Sequence, residues 1–377
     1  MRPISRRVRK AFLLASLVVG LLALGPVSAQ AAIEHVCPSG CAFTSINAAV
    51  NDPGTNNGDT IAVDPGVYTE TVQVTKDVTI QGAQHGVDAR TGRTDPTQES
   101  VLNSSDGGFN VTAAGATIDG FTVQDADSAV SSIGAGIATA YSNGGNYTIV
   151  NNILTNNPIG LYLNSDATNG SSLVKHNRFV GNNQGTSASG NGIYADQGTY
   201  SVDIVENKFA NQENDSILLI YGGTVSISNN TLENDATILP AFISGLTVVR
   251  NSISNSRFHG IELYEDSSIA PVTRNKVNGS QWSALRVIGG GVATVQTNSF
   301  RGSGDYGVKT DNGTIAVHNN NIVNNVTGEL YNDDTAHQLN AENNYYGCKP
   351  LPTCIRTTDG AGTVDFTPWL TKSVQVK

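Results

Sequence analysis

The chain has 377 residues, of which 14% are charged, and acidic residues outnumber basic ones by 32 to 22. Five of the basic residues fall within the first ten positions, so the remainder carries 17 basic against 32 acidic groups, a net charge of −15. That surplus excludes broad electrostatic binding to nucleic acid and suits a soluble chain that repels polyanions at long range.

In chain order, Arg2, Arg6, Arg7, Arg9 and Lys10 precede an apolar run from Ala11 to Leu24 and small residues at Val27-Ser28-Ala29 and Ala29-Gln30-Ala31. This reads as a secretory signal peptide over residues 1–32, so the mature chain, 33–377, is expected to be secreted or held at the cell surface. An uncleaved anchor is the rival, but the apolar run is short for a span, and no later segment could cross a bilayer. Four cysteines form two local pairs, Cys37/Cys41 and Cys348/Cys354, one near each end of the mature chain. An even count in an exported protein points to disulfides. A zinc site made from both pairs would have to span the whole fold.

Residues 43–50 have helical apolar spacing and suit a short capping helix. Gly58-Asp59-Thr60-Ile61-Ala62-Val63 and Gly66-Val67-Tyr68 read as strand, turn, strand. Residues 83–99 are polar and look like a loop thrown out from an early coil. The tail, 346–377, carries Trp369 and Pro368 and is expected to fold over the far end.

Between these ends an asparagine recurs with the same neighbours at positions 152, 177, 207, 230, 251, 275, 298, 320 and 343, with gaps of 21 to 30 residues. In the first eight, an apolar residue lies three positions before and another two after, as in Ile149/Leu154, Val174/Phe179, Ile204/Phe209 and Val317/Ile322. A five-residue offset fits neither strand nor helix periodicity. It implies two short strands joined by a bend. Asparagine suits the bend because it tolerates left-handed backbone, and stacked amides can bond along a column. About nine residues later comes a small residue, then apolar, any, apolar, as in Gly160-Leu161-Tyr162-Leu163 and Gly260-Ile261-Glu262-Leu263. Three short strands per coil predict an all-β, single-stranded parallel β-helix of about eleven coils in one domain. A sandwich would not repeat one bend residue nine times. The pattern blurs near residues 233–246, around Pro240.

These stretches resemble the right-handed parallel β-helix repeat proteins of the pectin-lyase-like superfamily. The segment from Gly58 to Glu70, the stretch Val78-Thr79-Ile80-Gln81-Gly82 and the ending Asn343-Asn344-Tyr345-Tyr346-Gly347 carry the likeness, which covers residues 36–370. The resemblance implies the fold. It leaves activity open, because the superfamily holds lyases, hydrolases, esterases, epimerases and proteins with no known reaction.

Outward residues of a β-helix form columns. The third-strand signal builds one from Tyr162, Tyr194, Glu262, Arg286 and Lys309, interrupted by Leu218. One step along lie Asn164, Asp196, Tyr264 and Asp311, and Trp282 falls just before the Arg286 strand. Aromatic faces, carboxylates and cations in one column suit a polysaccharide. If the chain is an enzyme, the uronate lyases of that superfamily are the pattern to expect, with Lys309 or Arg286 near the base and Glu262 positioning. Tyr162, Tyr194, Asp196, Tyr264, Trp282 and Asp311 would contact substrate. The polygalacturonase-like fragments His259-Gly260 and Asp333-Asp334 beside His337 read as solvated loop residues. No cofactor is specified. Calcium at an Asp-rich turn stays open without a spacing that defines it. The competing expectation is a non-catalytic surface module, structural or adhesive, with a monomer favoured in either case.

Overall fold

The computed structural model describes residues 31–377, apart from 104, 106, 127–133, 185–188, 266–269, 349–354, 356, 360 and 361. The signal peptide expected at 1–32 therefore lies outside the described residues but for its last two, and so does Cys354.

The chain is an all-β, right-handed parallel solenoid of about thirteen turns. One coil shows how the sequence builds it. A first strand, Ser172–Lys175, buries Val174, and a second, Arg178–Val180, buries Phe179. A third, Asn191–Ala195, buries Ile193. Each pairs in parallel with its counterpart in the next coil, through Val174↔Ile204, Phe179↔Phe209 and Ile193↔Ile217. Alternation within each strand sends one side chain inward and the next outward. Stacked inward residues fill the interior, where the Phe179 and Phe209 rings lie parallel with centroids 4.7 Å apart. Each buried ring or branched aliphatic contributes roughly 1.5–3 kcal/mol.

The turn count exceeds the eleven expected because the asparagine marker is confined to the middle. The first strands at Ile33–Val36, Thr60–Val63, Thr79–Gln81 and Thr117–Asp119 precede the first marked bend, and Val364–Asp365 follows the last.

The bend itself differs from expectation in one respect. The left-handed residue is the one before the repeat asparagine: Asn151, His176, Glu206, Asn229, Arg250, Arg274, Thr297, Asn319 and Asn343 all have positive φ. The repeat asparagine is buried and bonds along the stack. Asn251 Oδ1 accepts both the backbone N–H and the side-chain amide of Asn230 at 3.0 Å. Its Nδ2 donates to Ile227 O at 2.9 Å and to Asn275 Oδ1 at 3.0 Å. The ladder satisfies amides that would otherwise be stranded in the core. Its last member is Asn344, not Asn343, because Asn320 N–H donates to Asn344 Oδ1 at 2.9 Å.

A second ladder occupies the corner before the third strand. Asn157 N–H donates to Asn182 Oδ1 at 3.2 Å, Asn182 N–H to Gln212 Oε1 at 3.1 Å, and Gln212 N–H to Asp235 Oδ1 at 2.8 Å. The small residue opening each third strand follows from close packing here. A Cβ on Gly160 would meet Gly192 O at 2.6 Å and the Phe179 ring at 2.8 Å.

The helix Ile46–Asn51 covers the first coil with Ile46, Ala49 and Val50. Its open N-terminus is satisfied by Glu70, whose carboxylate accepts from Ser45 Oγ at 2.6 Å, Ile46 N–H at 2.8 Å and Asn47 N–H at 3.0 Å. Cys37 and Cys41 form a disulfide, and Cys348 is disulfide-bonded as well. The segment 83–99 is tied to the stack by Arg93, buried between Glu99 and Asn151 O, and by Thr122 Oγ1 donating to Glu99 at 2.9 Å. At the far end Phe366 and Trp369 pack on the core, and Val374 and Asn321 exchange two hydrogen bonds at 2.8 and 2.9 Å.

Two coils depart from the scheme. Asp215–Ser228 and Thr237–Val249 run from third strand to first without a break, which fuses those rows into a 24-stranded sheet beside the 11-stranded second sheet. Pro240 lies inside this continuous strand, paired with Leu219, so the blurred sequence pattern reflects a missing turn.

Candidate functional site

The register of the stacked third strands sets the site. Tyr162 pairs with Tyr194, and Tyr194 with Leu218. Leu218 pairs with Leu239. Beyond these leucines Glu262 pairs with Arg286, Arg286 with Lys309, and Lys309 with Tyr331. Successive members stand about 4.8 Å apart, the spacing of paired strands. The column thus has an aromatic end and a charged end.

At the charged end Arg286 Nε donates to Asp311 Oδ2 at 2.6 Å, and Nη1 lies 3.6 Å from Glu262 Oε2. Lys309 Nζ lies 3.9 Å from Asp305 Oδ2 and 4.0 Å from Asp311 Oδ1. It also sits over the Tyr331 and Tyr306 rings, 5.0 and 6.0 Å from their centroids.

His259 stands behind this row. It was expected as a solvated loop residue, but it is 5% exposed. The turn into the third strand carries it beneath Trp282, with ring centroids 5.1 Å apart edge to face. Ser283 N–H donates to its Nδ1 at 3.2 Å, and its Nε2 lies 3.3 Å from Glu262 Oε2. An Nδ1 that accepts leaves the proton on Nε2, directed at Glu262. Burial, followed by the charges of Arg286 and Lys309, pushes the His259 pKa down to about 4. The imidazole is therefore neutral at ordinary pH. Burial pushes Glu262 above the usual carboxylate range, and Arg286 opposes it. Asp215, buried and facing the charge of Glu262, is pushed up to about 7.

At the aromatic end the Tyr162 and Tyr194 rings stack at 5.9 Å. Asp196 accepts both hydroxyls, from Tyr162 at 2.5 Å and from Tyr194 at 3.2 Å. Tyr162 is only 5% exposed, so Tyr194 and Asp196 carry the accessible surface. Tyr264 packs edge-on against Phe242 at 5.3 Å. Trp282 is 46% exposed and leans on Phe258 as well as His259. Asp311 shares the row of Tyr264 through Ile288. Asn164 is buried.

Sequence reasoning missed His259, Ser283, Asp305, Tyr306 and Tyr331. His259, Ser283 and Tyr306 fall in one row, since Gly260 N–H bonds Ser283 O and Ala284 N–H bonds Tyr306 O. A signal for them exists: each directly precedes the small residue that opens a third strand. Tyr331 was hidden because Glu329 takes the small-residue place, accepting from Asn325 Nδ2 at 2.7 Å. Asp333-Asp334 and His337 form a local turn in which His337 Nδ1 meets Asp334 Oδ2 at 2.7 Å. Asp334 is buried there, contrary to the solvated expectation, while the His337 side chain is exposed.

Among the described residues, only Cys37, Cys41 and Asp64 bring three metal-type ligand atoms within 4.8 Å of one another. Both cysteines there are in a disulfide and offer no thiolate. No described helix is long and apolar enough to cross a membrane.

The chain matches the family described as right handed beta helix region over residues 65–232 and 180–326. It belongs to that right-handed β-helix family. Among solved structures, an alginate lyase from Paenibacillus sp. str. FPU-7 is similar at 12% identity and TM-score 0.50, covering 80% of this chain and 97% of that one. A mannuronic acid specific family 6 polysaccharide lyase from human gut microbiota is similar at 8% identity and TM-score 0.48, covering 87% and 91%. A periplasmic alginate epimerase is similar at 14% identity and TM-score 0.46, covering 77% and 71%. No curated protein matches the chain by sequence.

Proposed function

We propose that this is an exported β-helix protein that engages an acidic polysaccharide along its stacked third strands and transfers a proton at the sugar carbon bearing the carboxylate. The observation that carries the reading is the direct register of Glu262, Arg286 and Lys309 on an outward face, backed by a buried neutral His259. The Paenibacillus protein of the same fold is an alginate lyase. That likeness brings the fold, and the reading rests on the cluster.

Arg286 suits a uronate carboxylate by its planar fork and permanent charge. A primary amine can serve as a proton acceptor and a guanidinium does not, so Lys309 is assigned as the proton-transfer group. Glu262 and Asp311 hold Arg286 in place. In a lyase step the C–H bond of the carbon bearing the carboxylate gives its proton to Lys309 Nζ, with the amine in its neutral form and its own proton already released to solvent. The electron pair of that C–H bond forms a C=C bond as the neighbouring glycosidic C–O bond breaks, and the departing oxygen takes a proton. Arg286 offsets the charge that builds on the carboxylate.

Charge balance adds a condition. In the resting cluster, with His259 neutral and Lys309 still protonated, Arg286 and Lys309 face Glu262, Asp305 and Asp311, a net of minus one. An incoming carboxylate is then favoured by protonation of Glu262, whose burial already favours the neutral form. Incubating the mature protein with uronate polymers, with and without calcium, and following the absorbance of unsaturated product tests the reading. Neither product nor glycan binding would favour the non-catalytic surface module.

A further inference from the structure

The corner between third and first strands holds a second feature beside the charged cluster. In five successive coils one residue at this corner is left-handed: Tyr221, Phe242, Glu265, Gly289 and Asn312, with φ of 64°, 58°, 49°, 66° and 62°. The register makes them one row, through Ile220↔Ala241, Ala241↔Tyr264, Tyr264↔Ile288 and Ile288↔Asp311 immediately before each. Glycine and asparagine take this conformation readily. Tyrosine and phenylalanine do not. A bulky residue held there is strained, and such strain concentrates at binding sites.

Of the two strained rings Tyr221 is presented to solvent and Phe242 is half-buried beside it. Tyr221 is 50% exposed and stacks on Phe242 at 5.3 Å, and Phe242 meets Tyr264 edge-on at 5.3 Å. They stand where the continuous strands Asp215–Ser228 and Thr237–Val249 pass the corner without a loop. Leu218 and Leu239 lie half-buried on the same two strands, in the gap between the aromatic and charged ends of the column. Tyr264 joins this apolar shelf to the charged cluster, two residues after Glu262 on one strand.

We infer that Tyr221, Phe242 and Tyr264 form an aromatic subsite for the sugar-ring faces of a polysaccharide chain whose acidic part lies on Arg286 and Lys309. A pyranose offers an apolar C–H face to an aromatic ring, and its hydroxyls stay in water. The three rings carry no charge, so their hold on a sugar face is insensitive to salt, whereas the hold of Arg286 and Lys309, and the repulsion of an acidic chain by Glu265 in the same row, are screened. This inference rests on the polysaccharide reading above.

The test uses asparagine, which suits a left-handed corner and so preserves the fold. Binding of uronate and neutral oligosaccharides of several lengths is measured by calorimetry for the native protein, Tyr221→Asn, Phe242→Asn and Arg286→Gln. The expected result is that the two asparagine variants keep or raise Tm, yet bind long chains about tenfold more weakly at high and low salt. Short uronate chains are then affected only by Arg286→Gln. Unchanged affinity for every chain length in Tyr221→Asn and Phe242→Asn overturns the subsite, and if Arg286→Gln still weakens binding, the polysaccharide reading survives. Binding confined to neutral chains and lost in the asparagine variants upholds the subsite and overturns the uronate reading. A native protein that binds no glycan overturns both.

Discussion

His259 directs Nε2 at the Glu262 carboxylate, 3.3 Å away, because Ser283 N–H occupies its Nδ1. The two groups are tuned in opposite directions: burial holds the imidazole neutral and draws the carboxyl toward its neutral form. A buried neutral donor beside a half-buried acid, with two cations in register, is the centre of the account.

The first prediction concerns His259 itself. Its folded pKa of about 4 lies below the ordinary 6.5. Between those values the unfolded chain takes a proton that the folded chain does not, so this group lowers stability as pH falls from 6.5 to 4. The effect is at most about 3 kcal/mol. The ring should show no titration by NMR from pH 8 down to pH 5. A ring that titrates near 6.5 would place it in solvent.

Asp235 behaves in the opposite sense. Burial pushes it up to about 7, and its Oδ2 has no hydrogen-bond partner. Between 3.8 and 7 the folded chain keeps a proton that the unfolded chain releases, so stability falls as pH rises through that window. Asp235→Asn keeps the acceptor that Gln212 and Ala236 use. It should raise stability by roughly 2 kcal/mol at pH 8 and change little at pH 4, read from urea unfolding at the two pH values.

Asn343 and Asn344 separate the two roles at the bend. Asn343→Gly replaces one left-handed residue with another and should leave Tm nearly unchanged. Asn344→Ala strands Asn320 N–H and the carbonyl of Val317, while the Ala341 carbonyl keeps the Tyr346 hydroxyl. It should cost about 2–3 kcal/mol. Equal effects of the two would reject the assignment of ladder and bend.

Glu262→Gln removes one negative charge from the cluster. The native protein should bind acidic glycans more tightly as pH falls from 8 to 5, because Glu262 takes up a proton on binding. In Glu262→Gln that slope should flatten, with affinity at pH 8 raised several-fold. Calorimetry in buffers of different ionisation enthalpy reads the proton uptake directly, and its absence in the native protein would remove the charge-balance argument.

The fold was legible because β-helix coils repeat one solution to one problem. Val174 and Phe179 flank Asn177 as Val317 and Ile322 flank Asn320, since each bend must bury two apolar residues and satisfy one amide. Ladder and left-handed residue were merged in the reading because both are often asparagine, and Arg250, Arg274 and Thr297 show that the left-handed place is chemically loose. Coils without the marker were undercounted for the same reason. The column Glu262, Arg286, Lys309 was readable from strand alternation alone. His259 was not, because its place is set by a turn whose direction no periodicity encodes. The aromatic corner was invisible because its three rings come from three coils and meet only through stacking.

The central claim is that the cluster on the third strands moves a proton at a uronate. Following deuterium incorporation, together with unsaturated product, while uronate polymers are incubated in deuterated water tests it most directly. The account predicts exchange or elimination by the native protein that is lost in Lys309→Met and Arg286→Gln while both retain native Tm. A folded native protein that leaves every uronate polymer free of deuterium and of unsaturated ends would contradict it.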